Sequence, residues 1–139
     1  MFVDGWDPTK DNMDWMSEVI NISDVVVTFH TTFVLDVFAL DKPVINVYYN
    51  PSQEYQIKNN YNLAPIEEIY KCVHYDAVLA EKGVALAKNG RDIMRWIEKY
   101  LQDSSLLKQE RKNTIDKLCH KIDGQATARI FKSIMDNLR

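Results

Sequence analysis

The segment from Ser23 to Tyr49 constrains the fold of this chain more than any other. It reads SDVVVTFHTTFVLDVFALDKPVINVYY: a short apolar run rich in Val, a turn that bears hydroxyl groups, an almost wholly apolar stretch of helix length, and a second apolar run. Short continuous apolar runs are typical of parallel strands covered on both faces. The segment therefore predicts a strand–helix–strand unit of an α/β protein, with strands at Val25–Phe29 and Val44–Tyr48.

The flanking sequence continues this alternation of helices and strands. A helix is predicted over Asp11–Ile22 and a last short strand over Val84–Ala87. Gly83 is expected to end the preceding helix in the left-handed conformation, and Phe2-Val3 is a candidate end of a fourth strand. The pattern predicts a partial doubly wound α/β domain, Rossmann-like, with three α/β/α layers and three or four parallel strands. Such folds usually carry five or six strands, so the chain resembles the later part of one.

Three helices without an intervening strand are predicted over residues 91–139, as a helical C-terminal tail of one domain that spans 1–139. Ser104 and Asp123 are expected to cap the second and third of them. The side chains expected to face inward are Ile93, Trp96, Ile97, Tyr100 and Leu101 in the first helix, Leu107, Ile115, Leu118, Cys119 and Ile122 in the second, and Ile130, Phe131, Ile134 and Leu138 in the third.

Composition narrows the class of protein. With 139 residues and a formal charge of −3, the chain is one domain long and has no basic excess for nucleic acid. No apolar run approaches the roughly 20 residues of a membrane span, and the first residues are too polar for a signal peptide. Cys72 and Cys119 predict two buried thiols of a cytoplasmic protein, with a catalytic cysteine the less favoured alternative. No metal-binding or cofactor motif is present, so we expect neither a metal nor a cofactor.

The turn His30-Thr31-Thr32 is the main candidate for a binding site. It joins a strand to a helix, where α/β proteins hold anions, and it offers two hydroxyl groups and an imidazole. Asp36 follows about one helical turn later and could accept hydrogen bonds from a ribose. His74, which begins a later helix, is a further candidate contact to the ligand. Plainer interpretations stay open: the threonines as helix caps, His30 as a structural residue, and Asp36 paired with a nearby lysine.

The order of these segments resembles the donor-binding half of bacterial GT-B glycosyltransferases. In that family a strand of the form aDvvIt is followed by Ser/Thr residues, an acid within an EA helix, and GKPVI, as in SDVVVTFHTTFVLDVFALDKPVINV here. The segments HYDAVLAEKGVALAKN, RDIMRWIEKYLQDSSLLKQERKN and IDGQATARIFKSI are similar to later parts of the family. The nearest group is the capsule and teichoic-acid-type transferases, including relatives of CDP-glycerol glycerophosphotransferase. Two positions depart from the pattern: Asp36 replaces Glu and Asp41 replaces Gly.

The resemblance implies that the chain binds a nucleotide-activated sugar or polyol donor for cell-surface polysaccharide synthesis. His30, Thr31 and Thr32 would then hold the diphosphate and Asp36 the ribose, without a metal. The acceptor domain, which usually supplies the catalytic base in GT-B enzymes, is missing, so the chain alone is expected to be inactive. The implied location is the cytoplasm, peripheral to the inner face of the membrane in a full-length enzyme.

Two other functions stay open at the level of sequence. The chain could be a fragment of a sugar-nucleotide 2-epimerase, which shares the architecture, or a non-catalytic α/β interaction module. Because the early strands of the fold are not found, the strand Val25–Phe29 is expected to present an unpaired edge. A homodimer through that edge, or a covering terminal segment, is the expected consequence.

Overall fold

A computed structural model describes residues 9–138, which fold around a three-stranded parallel sheet of order β1-β2-β3. The strands are β1 (Val26–Thr28), β2 (Val44–Val47) and β3 (Ala85–Ala87). Within the same residues the helices are α1 (Lys10–Ile22), α2 (Phe33–Ala39), α3 (Gln53–Lys58), α4 (Ile66–Ile69), α5 (Val73–Ala80), α6 (Gly90–Gln102), α7 (Lys108–Leu118) and α8 (Ala126–Asn137).

The three predicted strands are confirmed, each slightly shorter than its apolar run. Val26 of β1 lies opposite Val44 of β2, and Ile45 of β2 lies opposite Ala85 of β3. Both pairings are parallel, as the strand–helix–strand pattern requires. The candidate strand end at Phe2-Val3 lies outside the described residues.

Helices lie against both faces of this open sheet. Successive side chains of a strand point to opposite faces, and Val44 and Ile45 accordingly belong to different apolar clusters. The larger cluster joins Val44 to buried residues of α1, α2, α5 and α7, while Ile45 packs with Tyr100 of α6. The molecule is therefore an α/β protein with a parallel sheet between helical layers, a Rossmann-like layout.

The first helix of the C-terminal part follows its predicted stripe. Asn89 caps α6 by accepting a hydrogen bond from the amide of Asp92, 3.0 Å away. Ile93, Trp96 and Ile97 pack on the sheet together with Tyr100, as predicted. Leu101, the last member of that predicted stripe, is exposed instead.

The two following helices differ from the prediction. Ser104 does not cap α7, which begins after Leu107 in a left-handed conformation with φ 58°. Ile122 is exposed, and the residues of α8 that were expected to face inward are exposed by 53% to 75%. A hydrophobic stripe identifies which side of a helix is apolar, but it does not show that another element packs there. The members of the exposed α8 stripe are Ile130, Phe131, Ile134 and Leu138.

A buried arginine, Arg111, forms hydrogen bonds with segments that lie at the amino-terminal end of the sheet. The Arg111 side chain is fully buried, and its Nη2 donates hydrogen bonds to Asp41 Oδ1 and to the Ser104 carbonyl, each at 3.1 Å. Lys108 also forms an ion pair with Asp41. Asp41 has φ 53°, which is a left-handed conformation. The GT-B enzymes that the sequence resembles prefer Gly at this position, and here an aspartate adopts the left-handed turn.

Gly83 has a role other than the predicted one. The left-handed residue that ends α5 is Lys82, with φ 58°, rather than Gly83. A Cβ atom at Gly83 would lie 3.0 Å from the backbone nitrogen of Arg111 and 3.1 Å from a ring carbon of Phe38. Glycine is needed here because the α5–β3 turn passes close to α7.

The outer edge of β1 pairs with no strand among residues 9–138. The amide of Val26 donates to the Pro43 carbonyl at 3.0 Å, so the backbone groups of the next residue, Val27, point away from β2. The side chains of Val27 and Phe29 are 42% and 49% exposed. The described part thus has the open edge that was expected, and the homodimer through it stays a prediction.

Candidate functional site

Three loops leave the sheet at one edge, where the carboxyl ends of the strands lie side by side. They begin at Phe29 after β1, at Tyr48 after β2 and at Lys88 after β3. In open parallel sheets this edge is where ligands bind, because the loops and the starts of the following helices form a crevice there. The predicted residues of the turn His30-Thr31-Thr32 all belong to the first of these loops.

His30 is held by tyrosine rings on one side. Its ring centroid lies 5.3 Å from that of Tyr70 and 5.9 Å from that of Tyr75. Its Nδ1 atom is buried and has no hydrogen-bond partner. Only the other ring nitrogen, Nε2, is therefore left to meet a ligand.

A buried polar pair lies beside His30. Asn46, in the middle of β2 and fully buried, donates a hydrogen bond from Nδ2 to the Tyr75 hydroxyl, and its Oδ1 atom has no partner. Burial raises the pKa of Tyr75 to about 12, against the hydrogen bond from Asn46, which lowers it. Burial also raises the pKa of Tyr70, whose hydroxyl donates to the Val47 carbonyl at 2.8 Å. Both tyrosines are neutral at physiological pH and act as fixed hydrogen-bonding groups.

Thr31 and Thr32 differ in what their hydroxyl groups do. Thr31 Oγ1 accepts a hydrogen bond from the amide of Phe33 at 3.3 Å, so this threonine caps the start of α2. The Thr32 side chain is exposed and makes no capping hydrogen bond. The capping alternative thus describes Thr31 in this structure, while the Thr32 hydroxyl accepts no hydrogen bond from an amide of its own helix. The diphosphate role of both residues stays a prediction.

Asp36 lies in the first turn of α2, close enough to the end of α7 to act on Cys119. Its charge raises the pKa of the Cys119 thiol, in addition to the larger effect of burial on that thiol. Partial burial raises the pKa of Asp36 itself. No hydrogen bond or ion pair joins Asp36 to another group between residues 9 and 138, so the lysine pairing left open by the sequence is not found there. A carboxylate without a protein partner remains available to a ligand.

His74 lies in the first turn of α5 and its side chain is exposed. The next residue, Tyr75, packs against the His30 ring, so the start of α5 lies beside the loop that carries His30. The structure therefore brings His30 and His74 to the same edge of the sheet. The contact of His74 with a donor stays a prediction.

Two cavities at this edge were missed by the sequence reasoning. One, of about 480 Å³, is lined by Tyr48, Tyr49, Asn50, Pro65, Ile66, Glu67 and Lys88. The other, of about 460 Å³, is lined by Phe29, Val47, Tyr49, Pro51, Ser52 and Tyr55. Both use residues from the stretch after β2 that reads as irregular loop. The cluster of tyrosines directly after a buried strand was the signal that could have pointed to them.

Neither a metal centre nor a membrane span is found in the described part of the chain. No group of three or more His, Cys, Asp or Glu side chains there is arranged to hold a metal ion. None of its helices combines the length and apolar character needed to cross a bilayer. Comparison with protein-family models, curated proteins and solved structures finds no match to the chain.

Proposed function

We propose that this chain is the donor-binding part of a GT-B glycosyltransferase or glycerophosphotransferase, of the doubly wound donor-domain type. Its ligand is a nucleotide-activated sugar or polyol used in cell-surface polysaccharide synthesis. The observation that carries the proposal is the meeting, at the carboxyl edge of a parallel sheet, of His30, Thr32 and two cavities. The order of the sequence segments described above is what suggests the GT-B family in this proposal.

Different residues bind different parts of the donor in this proposal. His30 can donate from Nε2 to a phosphate oxygen, because Nδ1 is buried against the tyrosines. The Thr31 and Thr32 backbone and the Thr32 hydroxyl supply neutral polar groups to the same diphosphate. Asp36, which lacks a partner in the described residues, is the acceptor for ribose hydroxyls, and exposed His74 approaches from α5.

The chain's chemical contribution is to bind and orient the donor. Fixed donors placed near a departing diphosphate stabilise the negative charge that develops on it. Transfer also needs a base and an acceptor site, which the proposal assigns to a separate acceptor domain. The chain alone binds the donor and does not turn it over, and the complete enzyme would work at the cytoplasmic side of a membrane.

A nucleotide titration tests the proposal. UDP-, CDP- and GDP-linked donors are added to the isotope-labelled chain up to millimolar concentration, and amide chemical shifts are followed. Shifts should concentrate at residues 30–36 and 74 with one of the three nucleotides. Thr32→Val should weaken this response, while Thr127→Val, at an exposed threonine of α8, is the matched control. A chain whose amides respond to none of the three would not be a donor-binding domain.

The second candidate, a non-catalytic interaction module, is favoured by the exposure of two surfaces. The apolar stripe of α8 and the open edge of β1 are both exposed. A homodimer through β1 would join two edges into one continuous sheet. Sedimentation of the wild type and of Val27→Lys separates the two candidates. The interaction module is identified if the wild type self-associates, the variant does not, and no amide shifts appear in the nucleotide titration.

A further inference from the structure

The aromatic cavity beside Phe29 has no role in the division of the donor given above. It measures about 460 Å³ and lies at the carboxyl ends of β1 and β2. Phe29 follows β1, Tyr49 lies in the loop after β2, and Tyr55 lies in α3. The cavity therefore belongs to the same edge of the sheet as His30.

The cavity and Asp36 lie on opposite sides of the end of β1. Val47 of the cavity wall lies two residues after Ile45, whose side chain faces the α6 layer, and alternate residues of a strand share a face. The α2 helix, which carries Asp36, packs on the other face through Val34 and Val37. Phe29 of the cavity wall directly precedes His30, so a donor whose diphosphate lies at His30–Thr32 has the aromatic cavity beside it.

We infer that this cavity receives the pyranose ring of a sugar donor, in preference to an acyclic polyol. The inference rests on the proposed donor site and adds the class of the transferred group. Three aromatic side chains line the cavity, and they offer flat apolar faces that can pack against the C–H face of a sugar ring. Tyr49, Ser52 and Tyr55 of the lining carry hydroxyl groups, the type of group that bonds ring hydroxyls.

The charge and the surroundings of the lining residues also agree with a neutral sugar ring as the ligand of the cavity. The lining residues carry no charged side chain, so the cavity offers no ionic partner to a second phosphate. Tyr49 lies against the start of α6, where its hydroxyl is 3.9 Å from the position of a Cβ on Gly90. The Ser52 hydroxyl accepts the amide of Tyr55 at 3.3 Å and so fixes the start of the helix that presents Tyr55. A glycerol chain has no ring face with which to cover these aromatic groups.

The first experiment probes the cavity without any nucleotide. Methyl β-glucoside and methyl α-mannoside, each compared with glycerol at equal concentration, are studied by saturation-transfer NMR from the tyrosine and phenylalanine protons. Transfer to at least one glycoside should exceed transfer to glycerol roughly fivefold, since a stacked ring contributes about 1 kcal/mol. Tyr55→Ala, which removes a half-exposed side chain, should abolish that excess. Phe131→Ala, on the exposed face of α8, is the matched control and should leave it unchanged.

The second experiment uses complete donors and separates this inference from the proposed function. Dissociation constants are measured for UDP and UDP-glucose, GDP and GDP-mannose, and CDP and CDP-glycerol. One sugar donor should bind about five- to tenfold more tightly than its bare diphosphate, and Tyr49→Ala or Tyr55→Ala should remove the difference. CDP-glycerol should gain nothing over CDP.

Each outcome decides one of the two proposals. Amide shifts at 30–36 with a bare diphosphate, but equal transfer to glycosides and glycerol, would overturn the ring subsite and keep the donor site. A glycoside response that survives Tyr55→Ala would also overturn it. A glycoside response lost in Tyr55→Ala, without any nucleotide response, would keep the ring subsite and reject the donor function.

Discussion

The two ends of the parallel sheet bury different kinds of polar side chain. At the amino-terminal end, Arg111 donates to the Leu106 carbonyl at 2.7 Å and to Asp41 and the Ser104 carbonyl, with Nε as its one nitrogen without a partner. At the carboxyl end, the buried atoms His30 Nδ1 and Asn46 Oδ1 both lack a partner. Each end therefore leaves two buried polar atoms without a partner among residues 9–138, since the Tyr100 hydroxyl near Arg111 is also unsatisfied. The difference is that a buried charge joined to three acceptors holds the first end, whereas an imidazole and an amide lie at the second, beside the candidate site.

The largest effect is expected from breaking the amino-terminal end. Arg111→Ala should lower the free energy of unfolding by about 3 kcal/mol, because it leaves a cavity and removes one of the two basic partners of Asp41 and the donor to two carbonyls. Urea denaturation measures the change. Lys112→Ala is the control, because Lys112 is exposed and pairs only with Asp116 one helical turn away; it should change stability by about 0.5 kcal/mol at most. Equal effects of both variants would show that the buried arginine does not hold this end.

A pair of glycine substitutions sharpens the same contrast. Gly83→Ala should destabilise the fold by about 2 kcal/mol, because the new methyl group would press on the backbone of Arg111. Gly90→Ala is the matched change at the carboxyl end, where the nearest atom, the Tyr49 hydroxyl oxygen, is 3.9 Å away. It should be neutral or stabilising by about 0.5 kcal/mol in the first turn of α6. Thermal unfolding of the two variants gives the comparison, and a reversed order would contradict the close approach at Gly83.

The polar pair at the carboxyl end predicts a smaller, non-additive effect. Tyr75→Phe leaves the buried Asn46 amide without a partner, and Asn46→Leu leaves the Tyr75 hydroxyl alone, so each should cost about 1 to 2 kcal/mol. The double variant removes both groups and should be less destabilised than the sum of the single ones. A double-mutant cycle in urea measures the coupling. Additive costs would mean that the two side chains do not interact in solution.

Two aspartates give the smallest effects, with opposite signs. Burial alone would raise the pKa of Asp41, but hydrogen bonds from Lys108 and Arg111 hold it below its ordinary value of 3.8. Its contribution is therefore present above that value and lost as pH falls through the lowered pKa. Burial raises the pKa of Asp36, so its charge destabilises the fold at neutral pH and acid relieves the penalty.

The pH dependence of stability checks these signs. Asp41→Asn should lower stability at pH 7 and flatten its decline in acid below about pH 4. Asp36→Asn should raise stability slightly at pH 7 and lose that advantage as the pH falls through the raised pKa of the wild-type residue. Asp116→Asn, at an exposed pair on α7, is the control. Two asparagine variants that move stability in the same direction at pH 7 would contradict the opposite pKa shifts of the two aspartates.

Strands and their order of succession could be predicted from the sequence because they are encoded locally. Runs such as Val25–Phe29 combine β-branched residues with continuous apolar character, and the helices between them make a parallel arrangement the natural one. The stripe of α6 was also predictable, since its partner is the sheet that directly precedes it.

The rest depends on contacts between residues distant in sequence. Gly83 has its role because Arg111 passes close to it, and Asp41 is fixed by side chains 67 and 70 positions later, a distance that no local pattern encodes. The apolar stripe of α8 predicted a buried face, but burial requires a second surface that the stripe itself does not specify. For the candidate site, the loops could be placed at one edge, whereas the burial of His30 Nδ1 required the positions of Tyr70 and Tyr75.

The exposure of α8 also determines how motion is distributed along the chain. This helix has 12 residues and buries none of them, so its order depends on its own hydrogen bonds, which are marginal at that length. Its amide protons should therefore exchange with solvent through local fraying. Amides of β2, between two other strands, should exchange only when the whole domain unfolds. We therefore expect α8 to open and close independently of a cooperative domain.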